Sequence, residues 1–128
     1  MKRILALDDE PALLRLIEQY LTRLGYTVDA CETATRALEL FAQGPSRYCL
    51  VLADLHVPDM EGPDLIRALF RLDPDARVLI CSGYPFDPQD VPITARQQIR
   101  FLQKPFLPAM LIEEVSQLIG PGEPAGQD

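Results

Sequence analysis

The side chains able to do chemistry are gathered in four short stretches: Asp8-Asp9-Glu10, Asp54, Ser82-Gly83 and Lys104-Pro105. Each stands where a short apolar run gives out. Carboxylates brought close together repel one another, so ionising all of them is unfavourable unless a cation sits among them. Hard oxygens with open positions for water suit Mg2+ better than a soft metal. A lysine and a hydroxyl complete a set that can receive a phosphoryl group. One carboxylate is the nucleophile, cation and ammonium neutralise the phosphoryl oxygens, and the hydroxyl donates a hydrogen bond. Whether the four stretches meet depends on the elements that carry them.

Five apolar runs read as strands: Arg3 to Leu7, Thr27 to Cys31, Leu50 to Ala53, Arg77 to Cys81 and Arg100 to Leu102. Their near-continuous apolar character predicts strands covered on both faces. Helical spacing lies between them. Leu13, Leu14, Ile17, Tyr20, Leu21 and Leu24 fall on one face of a helix that Pro11 opens and Gly25 stops. A second helix follows Thr33 or Thr35 as cap and ends at Gly44-Pro45. "GPDLIRALFRLDP" and "PAMLIEEVSQLIG" supply two more. The fourth crossover holds Pro85, Pro88 and Pro92, which leave room for a short helix at most, over Ile93 to Gln98. Residues 1–119 thus read as one domain, and 120–128 as a disordered Pro/Gly-rich tail.

Alternating strands and helices with right-handed crossovers give a doubly wound α/β fold, a five-stranded parallel sheet with helices on both faces. In such a sheet a site forms beyond the carboxyl ends of the strands, where the strand order reverses. All four polar stretches belong to that edge. Asp54 therefore either caps the turn after its strand or aims its oxygens at a ligand.

With 128 residues, 48% of them hydrophobic, the chain can fill one core. No run approaches the roughly 18 to 20 apolar residues of a membrane span, and the start is too short in apolar residues for a signal peptide. A soluble, cytoplasmic protein is expected. A formal net charge of -7 argues against direct binding to nucleic acid or anionic lipid and for protein or cation partners. Cys31, Cys49 and Cys81 lack metal or disulfide spacing and read as small buried hydrophobes.

From Lys2 to about Ile119 the sequence resembles the receiver domain of the bacterial two-component response regulator family. The likeness rests on "DDE" at 8–10, "DLHVPDMEG" at 54–62, "CSGY" at 81–84 and "FLQKPF" at 101–106. It implies a flavodoxin-like sheet of order 2-1-3-4-5 and a phosphorelay role. Asp54 would accept a phosphoryl group from a histidine kinase phosphohistidine. Asp9, Asp54 and the backbone carbonyl of His56 would bind Mg2+ directly, and Asp8 through a water. Lys104 and Ser82 would meet the phosphoryl group. Phe101 matches the family's switch aromatic, and Pro105 matches a position that holds a cis peptide.

The resemblance also implies a sensor histidine kinase or phosphotransfer protein as one partner and a downstream protein target as another. No effector is expected within these residues, which fits a stand-alone receiver or the receiver portion of a longer protein, and a monomer or a weak dimer is expected. His56 and Tyr84 would flank the path of water to Asp54 and so set the lifetime of an acyl phosphate. Such a chain is a signalling phosphoacceptor with at most slow self-dephosphorylation, not an enzyme in the ordinary sense. Two rivals are a pseudo-receiver that binds protein without phosphoryl chemistry, and a haloacid dehalogenase-like phosphatase. The second wants an aspartate two residues after its nucleophile, where this chain has Glu10 or His56. A dinucleotide site is set aside because no glycine-rich loop follows the first strand.

Overall fold

The computed structural model describes residues 2–84, 87, 89, 91 and 93–120, with only the backbone of 93 and 94. Its strands are β1 (Arg3–Leu7), β2 (Thr27–Cys31), β3 (Tyr48–Ala53), β4 (Val78–Ser82) and β5 (Ile99–Gln103). Its helices are α1 (Pro11–Arg23), α2 (Ala34–Gln43), α3 (Gly62–Leu72) and α4 (Pro108–Ile119). The strands form one parallel sheet of order β2-β1-β3-β4-β5, as expected. The fourth crossover carries a 3-10 segment, Ile93–Gln98, in place of an α-helix. Pro85, Pro88, Pro92 and residues 121–128 lie outside the described residues, and with them most of the segment expected to be a tail.

Period-two alternation sorts the strand side chains into two cores. Leu5, Leu7, Val51, Ala53, Val78 and Ile80 face α2 and α3, packing with Phe41, Leu65 and Leu69. Ile4, Ala6, Leu50, Leu52, Leu79 and Cys81 face α1 and α4, packing with Ile17, Leu21, Leu111 and Val115. Only the three central strands are buried along most of their length. Most of β2 is part-exposed and β5 buries Leu102 alone, because each of them pairs along one edge only. Cys31 and Cys81 are buried and Cys49 is half-buried. Burial pushes the Cys31 thiol up to about 11 and the Cys81 thiol up to about 12, which leaves them protonated fillers of the core.

Local chemistry explains where elements stop. Pro11 and Pro63 sit in the first turns of α1 and α3, where a missing N–H is harmless. Past α1 the chain reverses at Gly25, whose φ of 97° is accessible to glycine without strain. Thr33 caps α2 by accepting the Arg36 amide at 3.2 Å.

The sheet edge opposite the polar stretches is tied by a separate network. Asp29 accepts Arg3 Nη1 at 2.8 Å and the Tyr48 hydroxyl at 2.7 Å, while the Arg47 guanidinium lies 5.4 Å from the Tyr48 ring centroid. Burial and the neighbouring Asp29 carboxylate push Tyr48 up from its ordinary 10.0 to about 12. A group raised in this way stabilises the fold fully below its unfolded value and ceases to as pH passes its folded value. Tyr48→Phe is expected to lower stability by about 1.5 kcal/mol at neutral pH, the lost hydrogen bond to a charged acceptor. In urea denaturation, the gap between native and variant should close as pH rises from 10.0 toward 12. A gap that stays constant over that range would contradict the assignment.

Candidate functional site

Register brings the polar stretches together. Leu7 pairs with Ala53 at the ends of β1 and β3, so Asp8 and Asp54 emerge side by side. The Asp54 amide donates to the Leu7 carbonyl at 2.9 Å, and the Asp8 amide to the Cys31 carbonyl at 3.1 Å. Ser82 pairs with Gln103 at the ends of β4 and β5, and the Lys104 amide donates to the Ser82 carbonyl at 2.8 Å. Four strand ends thus point polar side chains into one space at the carboxyl edge, where β1 and β3 diverge in connection.

Lys104 is the centre of charge. Its Nζ lies 2.8 Å from Asp8 Oδ2, 3.0 Å from Asp54 Oδ2 and 3.4 Å from Glu10 Oε1. The lysine side chain is 13% exposed, Asp8 fully buried and the Asp54 side chain 6% exposed. Burial works against the ammonium, but Asp8 and Asp54 outweigh it and raise its pKa. Lys104 is therefore a permanent cation here. Burial pushes the Asp8 carboxyl up, against the pull of Lys104 and of the Glu10 amide, which donates to Asp8 Oδ1 at 2.9 Å. Asp54 Oδ1 accepts the His56 amide at 2.9 Å, so the nucleophile candidate is held at both oxygens.

A cavity of about 550 Å³ opens over this cluster. Asp54 and Lys104 form part of its floor, with Asp9, Glu10, Gly83 and Pro105 around it. His56 and Tyr84 stand at its mouth, both exposed, with ring centroids 4.3 Å apart. Ser82 is buried, and its Oγ accepts the Tyr84 amide at 3.1 Å. The Lys104-Pro105 peptide bond is cis. Phe101 sits away from the cluster in β5, half-buried against the α2/α3 core. Leu13 of α1 and Phe106 also line the cavity. Leu13 read only as an apolar face residue, because nothing in its own neighbourhood marks it as facing the pocket.

The donor set suits a hard cation. Asp8, Asp9, Glu10 and Asp54 can each offer one oxygen with all four within 4.8 Å of one another. Asp8 Oδ2 is buried without a hydrogen bond, its charge met by Lys104 outside hydrogen-bonding alignment. A buried, underserved carboxylate oxygen beside exposed acids is what an oxygen-loving ion would satisfy. No helix among the described residues is long and apolar enough to cross a membrane.

A doubly wound parallel sheet of order β2-β1-β3-β4-β5 that gathers acids and one lysine at its switch point defines a class of small flavodoxin-like α/β domains. Within that class the chain belongs to the response regulator receiver domain family, whose model matches residues 4–116. It is similar to the response regulator receiver protein CpdR of Brucella abortus, 28% identical over 93% of this chain and 98% of that protein. It also matches the sensor kinase CckA of the same organism, 30% identical over 91% of this chain but only 12% of that much longer protein. Among solved structures it resembles the response regulator protein TrrA of Thermotoga maritima, crystallised with Mg2+ and BeF. That match has a TM-score of 0.77 and 29% identity, and covers 92% of this chain and 99% of the other.

Proposed function

We propose that this receiver domain works in phosphorelay signalling, accepting a phosphoryl group on Asp54 from a phosphohistidine in a Mg2+-dependent step. The observation that carries the reading is Lys104, whose ammonium bridges Asp54 and Asp8 in a single buried cluster. Asp54 Oδ2, 3.0 Å from Lys104 Nζ, would be the attacking oxygen. It attacks phosphorus as the P–N bond to the donor imidazole breaks. The imidazole leaves with the bonding pair and takes a proton from solvent, and an acyl phosphate remains. Lys104 pairs with the new phosphoryl oxygens. Ser82 Oγ accepts a backbone amide in the resting fold, which leaves its own proton to donate to them.

Mg2+ would be held by Asp9, Asp54 and the His56 carbonyl, with Asp8 through a water, and would neutralise charge on the transferring group. His56 and Tyr84 restrict water at the mouth of the pocket. Phosphorylation adds about two negative charges and new acceptors, which bias a surface between two states, with Phe101 as the turning aromatic. Output then passes to a partner protein, with no direct contact to nucleic acid or membrane. The likeness to TrrA, crystallised with Mg2+ and BeF, supports the cation, and the likeness to CckA, a sensor kinase, supports a kinase partner.

The test is transfer from a labelled phosphohistidine on a histidine kinase core. Label is expected to move to the chain with Mg2+ and to stay on the donor in EDTA. The bound label should then decay at a different rate in the His56→Ala/Tyr84→Ala double variant. Equal transfer with and without the metal would reject the cation's role. An unchanged decay rate would reject the gating role of the two rings.

A further inference from the structure

The loop that leaves Asp54 is pinned at its far end as well as its near one, and the far pin belongs to a different part of the chain. Asp59 Oδ1 accepts the Ala34 amide at 3.0 Å. Asp59 Oδ2 accepts the Thr35 amide at 2.9 Å and the Thr35 hydroxyl at 2.8 Å. These donors, led by Thr35, hold the Asp59 carboxyl below its ordinary range. Thr33 accepts the Arg36 amide of the same turn, so Asp59 takes up the two amides before it from a loop 24 and 25 residues away in sequence. Its anchor is firm, since Ala34, Ala37 and Phe41 seat α2 in the core.

The stretch between the two pins is short and tight. At one end the His56 amide donates to Asp54 Oδ1. Val57 is buried and bridges Met60, and a Cβ on Gly62 would come within 3.0 Å of the Leu55 side chain, so the loop closes on itself. His56 lies between the pins and lines the cavity over the cluster in which Asp8 Oδ2 is buried without a hydrogen bond. Fixing a ligand's support fixes the ligand.

We propose that Asp59 is a positioning residue that clamps the 54–59 loop to the first turn of α2 and so holds the His56 carbonyl in place for the divalent cation. The inference rests on the reading of that carbonyl as a ligand. Loss of the clamp leaves the carbonyl free to drift and weakens the cation without touching any carboxylate of the cluster.

The test is a Mg2+ titration of the full chain followed by amide NMR shifts, with hydrogen exchange of the Ala34, Thr35 and His56 amides measured in metal-free buffer. Asp59→Asn, a mild change on an exposed loop, is expected to weaken Mg2+ about tenfold, the lower end for a supporting residue. It should also speed exchange at all three amides. Thr35→Val removes one of the three donors and should give a smaller loss in the same direction. Thr33→Ala removes a cap from the same helix without touching the loop, and should leave Mg2+ affinity as it is. Unchanged affinity in Asp59→Asn overturns the proposal, as does an equal loss in Thr33→Ala, which would trace the effect to helix stability. Absence of any Mg2+ binding by the native chain overturns the reading of the acids, and the clamp's role with it.

Discussion

Incubated with Mg2+ and a small phosphodonor, the native chain is expected to gain one phosphoryl group by intact mass, and Asp54→Ala none. The chain carries 19 acidic residues, and the pocket selects among them. Asp8 is fully buried behind Lys104, so no donor can reach it in line. Asp9 and Glu10 are exposed at the rim, where side chains wander and water competes. Among the described acids Asp54 alone combines 4% residue exposure, an ammonium at 3.0 Å, an amide on its other oxygen and a cavity above it. A carboxylate preorganised this way reacts through an aligned geometry instead of by random encounter. Removing it also relieves repulsion among the acids, so Asp54→Ala should fold at least as well as the native chain in metal-free buffer. A lost mass gain is then chemical and not a folding defect. Equal labelling of the variant would place the acceptor elsewhere and reject the central claim.

The pocket was legible because its parts each end an apolar run, and a parallel sheet must bring such ends to one edge. What the pattern could not supply was register and partners. Tyr48 and Cys49 precede the apolar run of the third strand yet belong to it, since Tyr48 pairs with Arg3 of β1 and its hydroxyl donates to Asp29, both long-range contacts. The fourth apolar run ends at Cys81, yet Ser82 is the last residue of β4, extended there by pairing with Gln103. The edge strands read as doubly covered because composition reports hydrophobicity without neighbours, and β2 and β5 each lack one. The Asp59 clamp was invisible for the same reason. A carboxylate two residues before a glutamate in a proline-containing loop looks like turn chemistry until α2 is placed against it. The fourth crossover was the converse case: prolines forbid helix locally, and the 3-10 segment Ile93–Gln98 is where the pattern allowed one turn or two.

Lys104→Met should produce the second large effect, and on stability as well as transfer. In metal-free buffer the ammonium is the nearest countercharge for Asp8 Oδ2 and Asp54 Oδ2. Methionine fills the space of the stem but strands two buried carboxylates, and breaking a buried pair from one side is far worse than never having built it. The expected loss is about 3 kcal/mol, at the low end for such a deletion because the cavity admits water. Mg2+ then acts as a substitute charge. A ligand that binds only the folded state at a hundredfold its dissociation constant stabilises by about 2.7 kcal/mol. The variant lacks the competing ammonium, so its Mg2+ affinity should exceed the native chain's and urea midpoints of the two should converge as Mg2+ rises. Phosphoryl transfer should fall sharply even where stability has recovered, because the cation neutralises the acids but does not take the ammonium's place opposite it. A variant as stable as the native chain without metal would show that Lys104 holds no charge balance here, and that the acids repel less than their crowding implies.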